Sequence, residues 1–453
     1  MASTYLSKTN VSQTLNSKFT ISVWVKRAEL SSSGMNAMCG SNSTGSHATQ
    51  FFFDGESLRF FDNYSSTDLV TNRKFRDTNA WYHVVAAIDT SQITAADRVK
   101  IYVNGTQETS FATSNYPTQN SGMILNINGY TFYVGTAETA DGNKFGYFDG
   151  SMTHFHFSDG QAYAPTVFGE TDSTSGIWKP KTAPSVTYGN NGFFLKFENS
   201  GNLDLDSSGN NLSFTTSGTL TQMVDTPSNN FNTLNSSLAN SGVTSSNGNR
   251  SFNSGSAVNY GLMAPTFALN KGKWYFEYKI GHPCAAGFIA DTYQIAERVR
   301  GNTAVGNTSE EYAWEGNGYI KTNGGQTAYG SSASANDIIG MYVDLDNNKL
   351  YIGINGTIQN SGTGFSITDP DSLTSGFYYI GGMSDQCGAT ANVTADINFG
   401  NGFFGTTAVS SAQADANGEG AFEYSPNDSG GSSFDSAAKN FYALNTKNIK
   451  EFG

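Results

Sequence analysis

Between Asp337 and Gly356 the chain alternates apolar with polar or small residues. Ile339, Met341, Val343 and Leu345 fill every second position, and Leu350, Ile352 and Ile354 repeat the pattern. A period of two puts each set on one face of a strand. Asp346-Asn347-Asn348 lies between the two runs, and its side chains tolerate left-handed backbone. Asn355-Gly356 closes the second run. The stretch therefore predicts a hairpin followed by another tight turn. The same design stands upstream: a run from Trp81 to Ile88, a polar connection over 89–97, then Val99, Ile101 and Val103 before Asn104-Gly105. Strands that alternate this cleanly bury one face and leave the other wet or differently packed, as antiparallel sandwiches do.

The rest of the chain follows this pattern. Phe19, Ile21, Val23 and Val25 share one face of a run from Phe19 to Lys26, with Trp24 on the other. Phe51-Phe52-Phe53 and Leu58 to Phe61 flank Asp54-Gly55. Short apolar runs separated by glycine continue through 132–157 and 192–197. Trp274, Phe276, Tyr278 and Ile280 alternate against Tyr275, Glu277 and Lys279. No sustained helical period is present; single turns are expected at 11–15 and 162–168. Residues 223–255 are rich in Asn, Ser and Gly and lack apolar periodicity, which predicts a linker with few core contacts. The expected fold class is all-β, with two antiparallel β-sandwiches in tandem: residues 1–222, a linker over 223–255, a second sandwich over 256–410, and a short C-terminal tail over 411–453. Phe441, Tyr442 and Leu444 are the anchors expected in the tail.

Composition fits many turns and half-buried strands. Glycine numbers 50, aromatics are 13% and charged residues only 14%, so Ser, Thr, Asn and Gln must supply most of the polar surface. A length of 453 residues is more than one ordinary core and agrees with a division into domains. The net charge of −13 speaks against nucleic acid or an anionic membrane as partner. The three cysteines, Cys39, Cys284 and Cys387, are far apart in sequence and form no metal or redox motif; Cys284 and Cys387 could lie close in a folded second domain, but free buried thiols are the expectation. The first residues have no apolar signal region, and no run is long enough to span a membrane. Synthesis in a cytoplasm and release by another route are expected.

Several motifs point further. Residues 273–400 resemble a SPRY domain: K-W-Y-F-E at Lys273–Glu277, G-F-I at Gly287–Ile289, D-I-I-G-M-Y-V-D-L-D-N-N at Asp337–Asn348, Asn355-Gly356, and I-N-F-G at Ile397–Gly400 occur in the family's order. Residues 5–222 resemble a LamG-like, concanavalin A-like jelly roll. The marks are F-T-I-S-V-W-V-K-R from Phe19, W-Y-H-V-V-A-A-I-D from Trp81, V-K-I-Y-V-N-G from Val99, and F-D-G-S-M-T-H-F-H-F-S-D-G from Phe148. In this order the pair is similar to a type of marine bacteriophage structural protein. Phe168–Asp172, Trp178–Lys181, Asp206–Asn211, Val224–Asn229 and Phe441–Ile449 add to that likeness. The resemblance implies a virion protein, and it carries over no site residues.

Candidate chemistry is sparse. Glycoside hydrolysis needs two carboxylates at a set separation; Glu310, Glu311 and Glu315, or Glu419 and Glu423, are the nearest approach to a pair, and no catalytic residue is assigned. His154 and His156 stand two apart on one strand and lack an evident third metal ligand. His83 reads as a packed residue. Asp204 and Asp206 mimic the start of a calcium loop, but the position of its bidentate glutamate is Thr215; if a metal binds, they are its expected ligands, and no other cofactor is implied. Asp344 and Asp346 look similar and serve their turn. Tyr312, Trp314 and Tyr319 are candidates for stacking on a sugar.

Together these readings predict a non-enzymatic structural protein of a bacteriophage particle. The expected form is a tail fibre or surface appendage that attaches to the host surface through a glycan or protein. It would be made in the host cytoplasm and displayed on the virion. Other virion proteins are the expected partners, with self-association into a homotrimer, no nucleic acid and no membrane insertion. A capsid-decorating or tail-assembly protein is the alternative, and a polysaccharide-degrading enzyme the second.

Overall fold

The computed structural model describes residues 3–28, 30, 34–43, 47–139, 141–173, 176–255, 260–387, 392–427, 434 and 439–453. The chain divides into two compact units, Met1–Gln222 and Met223–Gly453. Each is a two-sheet β-sandwich, and the all-β, tandem-sandwich expectation holds.

In the first unit the larger sheet runs in the order Phe111–Asn115, Thr67–Lys74, Ser57–Asp62, Ala48–Asp54, Met35–Asn42, Thr131–Val134, Tyr5–Thr9, Thr215–Ser217. The second sheet runs Phe193–Leu195, Gly150–Asp159, Lys18–Arg27, Trp81–Asp89, Val99–Val103, Thr106–Gln107. The alternation read from the sequence sorts the side chains. Phe19, Ile21, Val23 and Val25 join Val84, Ala86, Ile88, Val99, Ile101 and Val103 in the core between the sheets. Trp24, His83 and His156 alternate out of that core yet are also buried. Asn104 and Gly105 both take positive φ, 48° and 81°, as the turn requires.

The second unit has one sheet in the order Leu234–Ala239, Leu262–Pro265, Tyr378–Asp385, Ala285–Asp291, Glu311–Glu315, Tyr319–Thr322, Gly325–Ala328. The other runs Thr244–Ser246, Ser251–Asn253, Thr394–Asn398, Lys273–Ile280, Ile338–Asp344, Lys349–Ile354, Thr357–Ile358. The central hairpin has the expected register: Val343 pairs Leu350, Met341 pairs Ile352 and Ile339 pairs Ile354. Asn348 at φ 56° makes its turn.

Three features differ from the expectation. Residues 223–255 are part of the second unit: they supply strands to both of its sheets and bury Phe231, Leu234 and Phe252. The stretch lacks periodicity because its strands are short and bury few side chains, and at its start a side chain replaces ladder bonds. Buried Asn232 accepts at Oδ1 from the amides of Thr233 (3.1 Å), Thr266 (3.1 Å) and Phe267 (3.0 Å), and donates from Nδ2 to the Ile380 carbonyl at 3.0 Å. A ten-residue helix, Thr292–Gly301, was not apparent in the sequence, because it buries only Ile295 and has no apolar stripe. Asp291 caps it by accepting from the amides of Tyr293 and Gln294. The expected tail is built into the unit: Tyr442-Ala443 pairs in parallel with Trp274-Tyr275, and Thr446–Phe452 is a short helix. Phe441 and Leu444 anchor it as expected, fully buried.

Candidate functional site

Three consecutive strands at one end of the second unit build the candidate surface. In Glu311–Glu315 the inner positions are Tyr312 and Trp314, and the outer ones Glu311, Ala313 and Glu315. Tyr312 and Trp314 are 4% and 0% exposed and belong to the central core. The proposal that they stack on a sugar is therefore corrected: alternation turns both rings inward, and Tyr312 donates its hydroxyl to the Ser309 carbonyl at 2.6 Å. Tyr319 is different. It pairs across from Glu315, on the face away from the core, and is 38% exposed.

Polar side chains surround that ring. Lys321 shares the face of Tyr319 by the two-residue period, and Gln326 lies opposite Lys321 on the edge strand. Glu315 Oε2 accepts from Gln326 Nε2, and from Asn317 Nδ2 at 3.3 Å. Lys321 Nζ donates to Gln386 Oε1 at 3.1 Å. Gln386 Nε2 in turn donates to Ser384 Oγ at 3.1 Å. The edge strand Gly325–Ala328 is exposed along its length. An exposed aromatic ring ringed by amides, one cation and one carboxylate can stack on a flat apolar face and hydrogen-bond to hydroxyls around it. The pattern of the sequence signals Tyr319, whose strand also carries Lys321; Gln326 is brought to the face by strand pairing and Gln386 by its bond from Lys321, neither of which leaves a local pattern.

The carboxylate pairs are not arranged for glycoside hydrolysis. Glu311 and Glu315 lie four residues apart on one strand, roughly 13 Å by strand rise, beyond the separation that either hydrolytic geometry uses. Glu311 is buried and ion-paired to Arg298 at 2.7 Å, with the amides of Gly306 and Asn307 on its other oxygen. Glu310 accepts from Gln294 and Thr374. Glu419 pairs with Lys447 and Asn229, while Glu423 holds Ser410.

The residues expected to hold calcium have other work. Asp206 is buried and accepts from the amides of Phe194, Ser208 and Leu212 and from Ser208 Oγ, all at 2.9–3.0 Å. Asp204 accepts from Thr216 Oγ1 at 2.9 Å. Asp344 holds Asn347 and pairs with Lys273, and Asp346 accepts from the Gly272 amide. Among the described residues no three His, Cys, Asp or Glu side chains converge as a metal site.

Three histidines of the first unit, His83, His154 and His156, lie on the six-stranded sheet beneath a cover. Residues 160–173 and 176–192 contribute Phe168, Trp178 and Tyr188 to it. His83 stacks on Trp24 with ring centroids 4.8 Å apart, and Trp178 lies at its Nδ1 edge. Trp178 Nε1 donates to His83 Nδ1 at 3.0 Å, so the proton of the neutral ring sits on Nε2, which donates to Ser22 Oγ at 2.8 Å. That tautomer cannot take a proton from Ser22, so the pair is not a nucleophile and its base. Gly105 and Gly169 leave room for Trp178: a Cβ on either would stand 2.9 Å or 2.5 Å from its ring. His156 stacks on Phe194 at 3.8 Å and bonds to the Tyr188 hydroxyl at 2.8 Å. His154, at a bulge with φ 48°, does not continue the alternation. Burial holds all three rings neutral: it lowers His83 to about 3, His156 well below the usual imidazole range, and His154 in the same direction.

The cysteines also differ from the expectation of three free thiols. Cys284 and Cys387 are joined in a disulfide with Cα atoms 5.5 Å apart, because the strands that precede and follow them are paired up to Ala285 and Asp385. Cys39 is a buried free thiol whose ionisation burial opposes. No helix among the described residues is long and apolar enough to cross a membrane.

Residues 1–168 match the family model described as the concanavalin A-like lectin/glucanases superfamily. Among solved structures the chain is similar to the SPRY domain of human HERC1, at 15% identity and TM-score 0.29, over 36% of this chain and 96% of that one. It is similar to stonustoxin at 15% identity and TM-score 0.30, over 37% of this chain and 27% of that one. A native heptameric SAP-like pentraxin from Limulus polyphemus matches at 14% identity and TM-score 0.28, over 36% of this chain and 72% of that one.

Proposed function

We propose that this protein is a non-catalytic attachment protein on the surface of a bacteriophage particle, and that it contacts a host-surface glycan through the outer face of strands Glu311–Glu315, Tyr319–Thr322 and Gly325–Ala328. The observation that carries the reading is the exposed Tyr319 ring set among Glu315, Lys321, Gln326 and Gln386. The concanavalin A-like match over residues 1–168 supports a carbohydrate- or protein-binding role. The order of motifs along the chain, similar to that of marine phage structural proteins, supports the virion. Calcium is not required by this face, and self-association into a trimer would add avidity to weak single contacts.

A test uses intact particles and the full chain. Antibody against the protein should label the particle surface, and excess free protein should compete with particles for adsorption to host cells. Absence of label together with absence of competition would overturn the proposal. A decorating role without a host ligand is the second reading, favoured by the exposed edge strand Gly325–Ala328, which offers unpaired backbone groups to a neighbouring shell protein. Label without competition would select it.

A further inference from the structure

The candidate face has a covalent neighbour. Gln386, which accepts the Lys321 ammonium, immediately precedes Cys387, and its amide donates to the Cys284 carbonyl at 3.1 Å. Strands Ala285–Asp291 and Tyr378–Asp385 pair from Ala285↔Asp385 inward, so the Cys284–Cys387 bond closes the ladder one step beyond its last pair. Its polar contacts are local: the Cys387 amide donates to Asp385 Oδ1 at 2.8 Å, and the Cys284 amide to His282 Nδ1 at 3.2 Å, while Cys284 also packs against the central core. Cys284 is half-buried and Cys387 exposed. The third cysteine, Cys39, is sealed in the core of the other unit.

We propose that the Cys284–Cys387 disulfide is a thiol-responsive clasp for the candidate face, holding the Gln386–Lys321 arm in place when oxidised and releasing it when reduced by a small thiol of the glutathione class. The inference rests on the reading of that face as a binding surface. The exposed sulfur is the point of attack. A thiolate bonds to Cys387 Sγ as the bond to Cys284 breaks, and Cys284 leaves as a thiolate that takes a proton from water. A second small thiol, as thiolate, attacks the sulfur of the first. The small disulfide departs, and Cys387 is released as a thiolate and protonated in turn. Two small thiols are oxidised for one protein disulfide reduced, and a small-molecule disulfide of the same class drives the reverse. Because the bond lies at the end of the ladder, its loss frees residues 386–387 while the strand pairs from Ala285↔Asp385 to Asp291↔Tyr378 remain. The clasp would be open in a reducing cytoplasm and closed outside it.

The full native chain is treated with dithiothreitol without denaturant, alkylated with iodoacetamide, and weighed. Two added groups are expected, against none in untreated native protein. Hydrogen exchange should then rise about tenfold at residues 319–322 and 386–387, with Tyr378–Asp385, Phe19–Arg27 and Lys273–Ile280 unchanged. Cys387→Ser should show the same exchange pattern without reductant. Three alkylated thiols in denatured, unreduced protein would overturn the proposal, as would reduction only after unfolding, or exchange that ignores the redox state. These readouts need no ligand. A normal clasp in a protein that binds no bacterial polysaccharide would sink the binding face instead.

Discussion

The two sandwiches each hide one outer sheet face beneath chain that lies outside the sheet, and they use opposite chemistry to do so. In the first unit two imidazoles lie under the cover: His83 and His156 stay neutral against Trp178 and Tyr188. In the second the group is an acid. Glu277 is fully buried on the face where Tyr275, Tyr342 and Tyr351 meet Phe422, Phe434 and Phe441. Its carboxylate accepts from the amides of Glu423 (2.9 Å) and Tyr424 (2.7 Å), from the Tyr275 hydroxyl (3.0 Å) and from Asn398 Nδ2 (3.2 Å). Burial raises it to about 7, although all four hydrogen bonds pull the other way. Neutral rings need few partners and can be held by stacking. A carboxylate on an apolar face needs several donors, and here the covering chain supplies two of them. The C-terminal cover is thus fastened by this carboxylate in addition to its buried rings and the pairing of Tyr442-Ala443, whereas the first cover is spread over a stack of rings.

The largest effect should follow from removing that fastening. Glu277→Ala leaves two buried amides and a tyrosine hydroxyl without their acceptor, at a cost of about 4 kcal/mol. Thermal melting of the second unit should fall, and exchange at Glu423 and Tyr424 should rise. Glu277→Gln keeps one acceptor oxygen and should cost much less. A small change in Glu277→Ala would mean that the aromatic contacts alone hold the cover.

Next comes pH, where the two units should move in opposite directions. A histidine whose folded pKa is depressed loses stability as pH falls below its ordinary value of 6.5. For His83, with a folded value of about 3, the loss at pH 4 is on the order of 3 kcal/mol. Glu277, raised to about 7 from 4.5, contributes its stability below pH 4.5 and loses it as pH rises through 7. Melting of each unit between pH 4 and 8 checks both signs. His83→Gln should flatten the acid slope of the first unit. A first unit insensitive to acid would contradict the neutral, buried assignment.

A smaller effect is expected of Trp178→Ala. Its ring is only half-buried, so the cost is about 2 kcal/mol, seen as faster exchange at residues 169–180 with the core strands unchanged. Smallest of all is Tyr319→Ala, which should shift stability by less than about 0.5 kcal/mol, since its side chain is exposed and outside the core. A larger loss would make Tyr319 a packing residue and remove it from the candidate face.

Alternation made the sheets legible. Ile339, Met341 and Val343 face inward as read, and the paired Asn-Gly turns lie where the runs end. The same signal misled at Tyr312 and Trp314, where aromatic character suggested a surface and the period of two placed both rings in the core. Residues 223–255 have little period to read because their three strands are short and bury few side chains, and the bonds of Asn232 to distant backbone leave no local pattern. The pairing of Cys284 with Cys387 spans 103 residues, and only the register of two strands brings them together. Of the candidate face, Tyr319 was visible in the sequence; of its neighbours Lys321 shares its strand, and Glu315, Gln326 and Gln386 come from two other strands and a loop.

Glycan binding by the Tyr319 face is tested most directly by applying the oxidised full chain, beside Tyr319→Ala and Lys321→Ala, to an array of purified bacterial surface polysaccharides. The unaltered protein should bind at least one polysaccharide, and each variant should bind it about tenfold more weakly, a loss of about 1.4 kcal/mol, with melting unchanged. Equal binding by all three proteins, or none by the unaltered chain, would contradict it.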